Sequence, residues 1–315
     1  MEIAVLIMGA DMQPALRNID AFKDTVVRYV NDNKDRLRHR YTFYVYYGSV
    51  PGIDMNVDET YGNLFYISTP YEESVYRTFE KTHHVISLLC SDENKKIDLF
   101  VRVNISMYLN IDLMDAVADK LKPCNVYCNA INSHVNMNSE YYNDIYPRGD
   151  LMIFDRYIAD IIAKEGTKYL NCDFRMKDRI GVEHVDDCMI GICLIDGIGK
   201  DYYKHIYMLK YNYLPATEIS NDQINRYAIG SRIKTVPPEI GYSGYSWDDN
   251  DYRLKDVEKF HWLYHFYINN KMSYDFIKMA DVLVEKDKSR PTLFVQVDNR
   301  NVFDVFWRFL EQKRK

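Results

Sequence analysis

The stretch from residue 97 to residue 121 is the part of this sequence that most restricts the fold. Up to Asn104, apolar residues alternate with other residues, and a period of two predicts a β-strand. From Asn110, which suits a helix N-cap, leucine and valine recur every four residues and predict an amphipathic helix. In open α/β sheets, ligands bind where strands end. We therefore expect a site in the loop between these two elements, lined by the polar residues Arg102, Asn104 and Ser106.

Strands and helices alternate along most of the chain. Predicted strands cover residues 3–8, 42–47, 64–68, 97–105, 125–131, 151–154, 206–209 and 292–297. Predicted helices cover residues 14–31, 72–90, 110–121, 155–166, 256–269 and 302–312, and in the segment 182–197 a carboxylate pair leads into an apolar helix that stops at Gly197. This order predicts an α/β fold with a mixed, mostly parallel sheet flanked by helices. Because the pattern changes after about residue 200, we predict a main domain over residues 1–235 and a C-terminal helical extension over 236–315 that packs on it.

The composition argues against some classes of function. A formal charge of −6, without a strongly basic block, argues against a nucleic-acid polymer as the main partner. Cys124 and Cys128 are the closest pair of the six cysteines and have no matching second pair. We therefore expect free thiols, which indicate the cytoplasm or another reducing compartment. No apolar run approaches the roughly 20 residues of a membrane span, so no transmembrane segment is expected.

Two adjacent acids, Asp186 and Asp187, stand in front of a predicted apolar helix. Carboxylates in that position can cap free N–H groups and complement the helix dipole. A carboxylate can equally act as the general base that removes a proton from a hydroxyl group. Repulsion between the two acids could raise the pKa of one of them. The residues alone leave the structural and the catalytic interpretation open.

Four blocks resemble, in order and spacing, the GT-A-type glycosyltransferases. The blocks are RTFEKTHHVISLL at 77–89, IDLFVRVNISMYLNIDLMDAVADKL at 97–121, YPRGDLMIFDRYIADII at 146–162 and VDDCMIG at 185–191. The resemblance is to the β-1,3-galactosyl- and N-acetylglucosaminyltransferase and Fringe group and related bacterial and viral sugar transferases. In that group, comparable blocks form a helix with a Lys-Thr pair, an Asp-x-Asp loop, an acceptor-side strand and helix, and the motif that holds the catalytic base.

This resemblance implies a GT-A-like, Rossmann-type catalytic domain over residues 1–235. It implies transfer of a hexosyl or N-acetylhexosaminyl group, with inversion, from a nucleotide-diphosphate sugar, a UDP-sugar being favoured. The acceptor would be the hydroxyl group of a glycan or another molecule. Asp187 would be the general base, with Asp186 beside it. The expected donor-binding residues are Gly9, Lys81, Arg102, Asn104, Ser106, Arg232 and Lys234.

One departure from that family's pattern concerns the metal. Where such enzymes place Asp-x-Asp, this chain has Asn104-Ile105-Ser106. Two carboxylates would hold Mn²⁺ or Mg²⁺ against the donor diphosphate, whereas neutral Asn and Ser bind hard cations much less well. The metal is therefore lost or held elsewhere, or side-chain cations such as Arg232 and Lys234 take its place. We expect donor binding to depend only weakly on a divalent ion.

Several candidates also have a purely structural interpretation. Arg232 and Lys234 could form a solvated surface pair, and Lys81 could be a surface charge. Gly9 could serve a tight turn. The polar residues that follow the central strand could be a strand end exposed to water. The residue types do not decide between these interpretations and donor binding.

Two other functions compete with sugar transfer. The first is a degenerate transferase fold kept as a non-catalytic sugar-binding or assembly subunit, which the missing Asp-x-Asp favours. The second is a metal-dependent nucleotidyltransferase or phosphotransferase that uses Asp186 and Asp187. The second function would require a further clustered carboxylate, and none stands at a recognisable spacing. Oligomeric state is not indicated by the sequence.

Overall fold

The computed structural model describes residues 1–10, 15–49, 55–73, 77–92, 96–133, 144–170, 186–235 and 250–284. The predicted strand 292–297 and helix 302–312 lie outside these residues, as do the first four residues of the segment 182–197.

The described residues form thirteen strands and eight α-helices. The strands are β1 Glu2–Met8, β2 Arg40–Tyr47, β3 Met55–Val57, β4 Leu64–Ser68, β5 Leu99–Asn104, β6 Met107–Leu109, β7 Val126–Cys128, β8 Ile131–Ser133, β9 Ile145–Pro147, β10 Leu151–Asp155, β11 Ile206–Met208, β12 Tyr211–Tyr213 and β13 Gly230–Arg232. The helices are α1 Ala15–Phe22, α2 Arg28–Asp32, α3 Thr78–Ser91, α4 Ile111–Val117, α5 Arg156–Gly166, α6 Asp186–Ile198, α7 Asn250–Asn269 and α8 Met279–Val282.

The central sheet has eight strands in the order β11-β7-β10-β5-β1-β2-β4-β3. Six of them run parallel, and β10 and β3 run against them. The predicted α/β fold with a mixed, mostly parallel sheet is thus confirmed. Strand β1 lies at the centre, between β5 and β2, and its apolar run Ile3–Ile7 is buried. A continuous apolar run of this kind is typical of a strand covered on both faces.

Helices cover both faces of this sheet. On one face, β5 directs Val101 and Val103 into a core shared with α1, α4 and α7. On the other face, Phe100 packs in a second core with α3, α5 and α6. The predicted alternation of β5 is present, but both of its faces are buried. Arg102 shares the face of Phe100, so its guanidinium is enclosed between the sheet and the helices.

Helix boundaries differ in part from the sequence-based prediction. The predicted caps are correct, because Asn110 accepts a hydrogen bond from the N–H of Leu113 (3.2 Å) and Asp155 from that of Ile158 (3.1 Å). Between α1 and α2 the helix widens into a π-helical segment, Lys23–Val27, which the apolar period did not indicate.

Five short strands also went unrecognised, because strands of three residues carry too little period to detect; they are β3, β6, β9, β12 and β13. Strand β6 pairs with the distant β13, and β12 is the other neighbour of β13, so that these three strands form a second sheet. The predicted strand 125–131 is shorter than expected, since β7 ends at Cys128 and β8 begins a separate two-stranded sheet with β9.

Candidate functional site

The six parallel strands of the central sheet end at the same edge, which we call the carboxyl edge. Asn104 closes β5 there, and its N–H donates to the carbonyl oxygen of Asp150 (3.0 Å), just before the antiparallel strand β10 begins. Helix α6 starts beside them with Asp186 and Asp187. Residues from three of the four sequence blocks therefore meet at this edge.

Asp186 forms an ion pair with Arg102 beneath the start of α6. Both residues are buried, with 3% and 1% of their surface exposed. The hydroxyl of Thr82 donates to the same oxygen of Asp186 that pairs with Arg102 (Oδ2, 3.2 Å), and it lies 2.9 Å from the hydroxyl of Tyr46. Burial lowers the pKa of Arg102, but the neighbouring Asp186 and Tyr46 outweigh it and the pKa is raised. Arg102 is therefore a fixed positive charge under the site.

Asp187 is the more accessible acid, although only 9% of its surface is exposed. Its Oδ2 accepts a hydrogen bond from the N–H of Gly149 (3.0 Å), and its Oδ1 accepts one from the N–H of Cys188 (2.9 Å). Burial, and next the negative charge of Asp186, raise its pKa to about 6, while the Gly149 N–H and Arg102 act in the opposite direction. A carboxylate with a pKa in this range can be ionised at neutral pH and still accept a proton.

Gly149 is surrounded so closely by Arg102, Asp186 and Asp187 that a larger residue would not fit there without a shift. A Cβ atom there would lie 3.0 Å from Nη1 of Arg102, 3.2 Å from Cβ of Asp187 and 3.4 Å from Oδ1 of Asp186. Gly191, the glycine of the VDDCMIG block, has a similar role. Its Cβ would lie 2.4 Å from the Cβ of Tyr146, so a glycine is needed for α6 to approach β9. Both glycines are therefore explained by contacts between elements.

The loop after β5 does not offer ligands that suit a hard cation. Oδ1 of Asn104 accepts hydrogen bonds from both the N–H (3.2 Å) and the hydroxyl (3.1 Å) of Ser106. These neutral groups fold the loop on itself, and Mg²⁺ and Mn²⁺ prefer carboxylate oxygens. Within the described ranges there is also no group of three or more His, Cys, Asp or Glu side chains that could hold a metal ion. Asn104 and Ser106 do not fit the metal that an Asp-x-Asp loop would bind.

Arg232 reaches the same edge from the second sheet. It forms an ion pair with Asp150, and only 7% of its surface is exposed. Asp150 also accepts from Arg148 (Nε to Oδ2, 3.1 Å) and from the side-chain amide of Asn129 (3.2 Å). One carboxylate is thus shared by two arginines, and the solvated-surface interpretation does not describe Arg232.

Lys234 follows two residues later and is half-buried. Burial lowers its pKa to about 7, and the positive charges of Arg232, Arg253 and Arg148 act in the same direction, whereas Asp256 opposes them. Arg253 comes from α7 and forms an ion pair with Asp256 (2.7 Å). The environment of Lys234 is therefore predominantly positive, which an exposed surface lysine would not experience.

Of the two remaining candidates, Gly9 directly follows β1 and Lys81 lies in the first turn of α3. The N–H of Gly9 donates to the carbonyl of Tyr46 (2.9 Å), and a Cβ atom there would be 3.1 Å from Cδ1 of Ile19. Lys81 is buried and forms an ion pair with Glu73. The other carboxylate oxygen of Glu73 accepts a hydrogen bond from the N–H of Gly48, which directly follows β2 (2.6 Å). A surface charge is thus not the right description of Lys81, and donor binding by both residues stays a prediction.

Sequence reasoning missed several residues that build the site. Thr82 and Tyr46 act through Asp186, and neither stands in a pattern that singles it out. Arg148 and Asp150 flank Gly149 in the block 146–162, and this charged-glycine-charged tripeptide could have been recognised. No sequence pattern singled out Arg253, because it lies in α7 and the sequence does not show which elements that helix packs against.

A cavity of about 550 Å³ lies at the opposite edge of the sheet. Its lining includes Met1, Ile97, Leu121 and Tyr157, and none of the predicted site residues.

In the described part of the chain no helix combines the length and the apolar character that crossing a bilayer requires. The five cysteines that the structure describes are free thiols.

Comparisons with known proteins bear on the fold alone. No family model and no curated protein matches this chain. Solved structures that match it include the crystal structure of a glycosyltransferase involved in the glycosylation of the major capsid of PBCV-1. That match has a TM-score of 0.44 at 7% sequence identity, and it covers 83% of this chain and 100% of that chain. At this similarity, the fold assignment depends on the strand order and layers described above.

Proposed function

We propose that this protein is a glycosyltransferase that moves a sugar from a nucleotide-diphosphate donor to a hydroxyl acceptor, with Asp187 as the general base. The observation that carries the proposal is a single arrangement at the carboxyl edge. The carboxylate of Asp187 is nearly buried, and its pKa is raised to about 6. It stands next to Asp186, which is paired with Arg102, and the pair of Arg232 and Asp150 lies at the same edge. Acid–base catalysis of an attack by a hydroxyl group requires such a carboxylate.

In the proposed reaction, ionised Asp187 takes the proton of the acceptor hydroxyl as its oxygen attacks the anomeric carbon. The bond between that carbon and the diphosphate oxygen breaks on the opposite side, so the configuration inverts. The products are the glycoside and the nucleoside diphosphate. Negative charge grows on the leaving diphosphate, and positively charged groups placed there stabilise the transition state. Arg232 and Lys234 are the residues we assign to that role.

Asp186 and Arg102 support the base without contacting substrate. An unneutralised carboxylate next to Asp187 would raise its pKa further and leave it protonated at neutral pH. Arg102 opposes that effect, since its charge acts against the raised pKa of Asp187. We assign Asn104, Ser106, Gly9 and Lys81 to the donor side of the edge, with UDP-sugars the favoured donors and a glycan hydroxyl the favoured acceptor.

The experiment that tests this proposal is a turnover screen of nucleotide sugars with the wild-type protein and Asp187→Asn. The amide keeps the size of the side chain but removes the proton acceptor, so turnover should fall by roughly 10²–10⁴-fold. Donor affinity measured by calorimetry should not change. Asp196→Asn is the matched control, because Asp196 lies near the far end of α6 and binds the hydroxyl of Tyr169. Turnover at the wild-type rate in Asp187→Asn would remove Asp187 from the mechanism.

A second function, a non-catalytic sugar-binding subunit, is favoured by the poor fit of Asn104 and Ser106 to a metal ion. A thermal-shift screen of nucleotide sugars separates it from the enzyme. A ligand at 100-fold its dissociation constant should add about 2.7 kcal/mol of stability in either case. A binding subunit would then show that stabilisation with no release of nucleoside diphosphate.

A further inference from the structure

One corner of the carboxyl edge collects positive side chains from three separate parts of the chain. Arg148 precedes β10, Arg232 and Lys234 belong to β13 and the residues after it, and Arg253 lies in α7. Arg232 and Arg253 are buried, with 7% and 1% of their surface exposed. Burying charge is costly unless an opposite charge compensates it, so a fold that gathers these residues here needs anions at this corner.

Asp150 supplies one of those anions, and its contacts are of a kind that a phosphate can reproduce. Its two carboxylate oxygens are divided between Arg232 and Arg148. Guanidinium groups bind carboxylate and phosphate oxygens with the same forked geometry. Arg148 retains 31% exposure of its side chain, so this corner is open to solvent on the side of Arg148.

The same corner adjoins the loop that follows β5. The N–H of Asn104 donates to the carbonyl of Asp150, and the N–H of Ile233 donates to the carbonyl of Ser106 (3.0 Å). The cations therefore lie next to the loop in which the family that the sequence resembles would place its metal. This chain has neutral residues in that loop and positive side chains beside it.

We propose that Arg148, Arg232 and Lys234 form a subsite for the diphosphate of the donor that works without a divalent ion, and that Asp150 is the counter-ion which the diphosphate displaces. The identity of the anion rests on the proposed function. The subsite itself rests on the contacts of Asp150 and on its position beside the loop after β5. Arg253, paired with Asp256, adds positive charge behind Lys234.

Displacement of Asp150 has a consequence for the charge of Lys234. The charges that act on it most strongly are those of Arg232, Arg253, Asp256 and Arg148, and Asp256 is the one of these four that is negative. With a pKa of about 7 in the absence of ligand, the amine is mostly neutral at pH 8. A diphosphate beside it raises that pKa, so Lys234 takes up a proton from the buffer when the anion binds.

The first test uses inorganic pyrophosphate as the probe and full-length protein in EDTA, with calorimetry as the readout. We expect binding without metal, and less than about a 30-fold gain when pyrophosphate is premixed with Mn²⁺. Lys234→Gln should weaken binding by about tenfold or more, because one charge-assisted hydrogen bond is lost. Lys255→Gln is the control, since Lys255 lies exposed on α7 and pairs with Glu258. Binding that appears only with Mn²⁺ would overturn the subsite.

The second test separates an exchangeable counter-ion from a structural one. Asp150→Asn removes the competing charge but keeps a side chain that can accept from Asn129. If Asp150 is displaced by the ligand, the variant should bind pyrophosphate several-fold more tightly than the wild type does. Equal or weaker binding by a variant with a normal melting transition would show that Asp150 only supports the structure, and would overturn its exchange.

The third test needs no variant of Asp150 and follows the proton. Pyrophosphate is titrated at pH 8 in two buffers with different ionisation enthalpies, for the wild type and for Lys234→Gln. The wild type should take up more protons than the variant by an amount that approaches one, and this difference should shrink at pH 6. An equal uptake at pH 8 would remove Lys234 from the subsite.

Pyrophosphate is not a sugar donor, so these three tests are independent of the turnover test of Asp187. Pyrophosphate binding in EDTA without turnover of any nucleotide sugar would support the anion subsite and contradict the transferase.

Discussion

Two arginine–aspartate pairs lie at the carboxyl edge, and they differ in how they are enclosed. Arg102 and Asp186 are buried between the sheet and its helices, and Asp186 also accepts from Thr82. Arg232 and Asp150 belong to a corner where a partly exposed second arginine shares the carboxylate. The first pair is sealed, whereas the second adjoins an arginine that reaches solvent, and we propose that a ligand can displace its carboxylate. The same chemical pair is therefore fully enclosed in one place and lies next to solvent in another.

The largest effect should come from breaking the sealed pair. Arg102→Met leaves the carboxylate of Asp186 buried without its counter-ion, so the free energy of unfolding should fall by about 3–5 kcal/mol. Arg232→Met should cost clearly less, because Arg148 still contacts Asp150. Denaturant unfolding of both variants measures the difference. Equal losses would mean that the two pairs are enclosed to the same degree.

Gly149→Ala tests how tightly the sealed side is packed. The added methyl group would lie 3.0 Å from Nη1 of Arg102 and 3.2 Å from Cβ of Asp187, so one of these must move. Overpacking of this kind costs about 1–3 kcal/mol of stability, and turnover should fall as well because the N–H that holds Asp187 shifts. Gly62→Ala is the control, since a Cβ there meets nothing within 4 Å. An unchanged melting temperature in Gly149→Ala would contradict the packing described here.

The pH dependence of turnover reports the pKa of Asp187, which burial and next the charge of Asp186 raise. Under the proposed function Asp187 must be ionised, and its pKa is raised to about 6, so turnover at pH 5 should be about tenfold below its plateau. Stability should change in the opposite direction. The folded-state pKa of Asp187 exceeds the unfolded one, so the protonated acid stabilises the fold at low pH and this contribution is lost as the pH rises through about 6. A turnover profile that is flat between pH 5 and 7 would exclude this acid as the base.

The smallest effect should come from Thr82→Val, which keeps the shape of the side chain and removes its hydroxyl. Asp186 loses one hydrogen bond but keeps Arg102, so unfolding should become easier by about 1 kcal/mol. The apparent pKa of turnover should rise slightly, since Asp186 is less well neutralised beside Asp187. A loss as large as that of Arg102→Met would assign the stability of this region to Thr82.

The sequence predicted what depends on local patterns. The alternation of β5 and the N-caps Asn110 and Asp155 are contained in a few neighbouring residues, so the strand and the two helices were recognised. The placement of Asp186 and Asp187 at the start of a helix was recognised for the same reason. Helix α7 was predicted to begin too late, because its apolar period is weak in the first turns.

Partners that lie far apart in the chain could not be predicted. Thr82 and Asp186 are separated by 104 positions, and the register of β13 against β6 decides that Arg232 reaches Asp150. Those pairings exist only once the sheets have assembled. Burial of the cations was also hidden, because a basic residue in a polar segment has the same sequence pattern whether or not another element covers it.

The antiparallel strand β10 has a further consequence, for the order in which the chain assembles. Strands β1 to β5 can pair with one another as soon as the first 104 residues are available. Until β10 follows, one edge of β5 has no neighbour, and an open edge of an apolar strand can pair with another chain. Strand β10 covers that edge and gives β7, and through it β11, a place to join. A chain that stops before β10 should therefore aggregate during synthesis, whereas one that includes β10 has a closed central region.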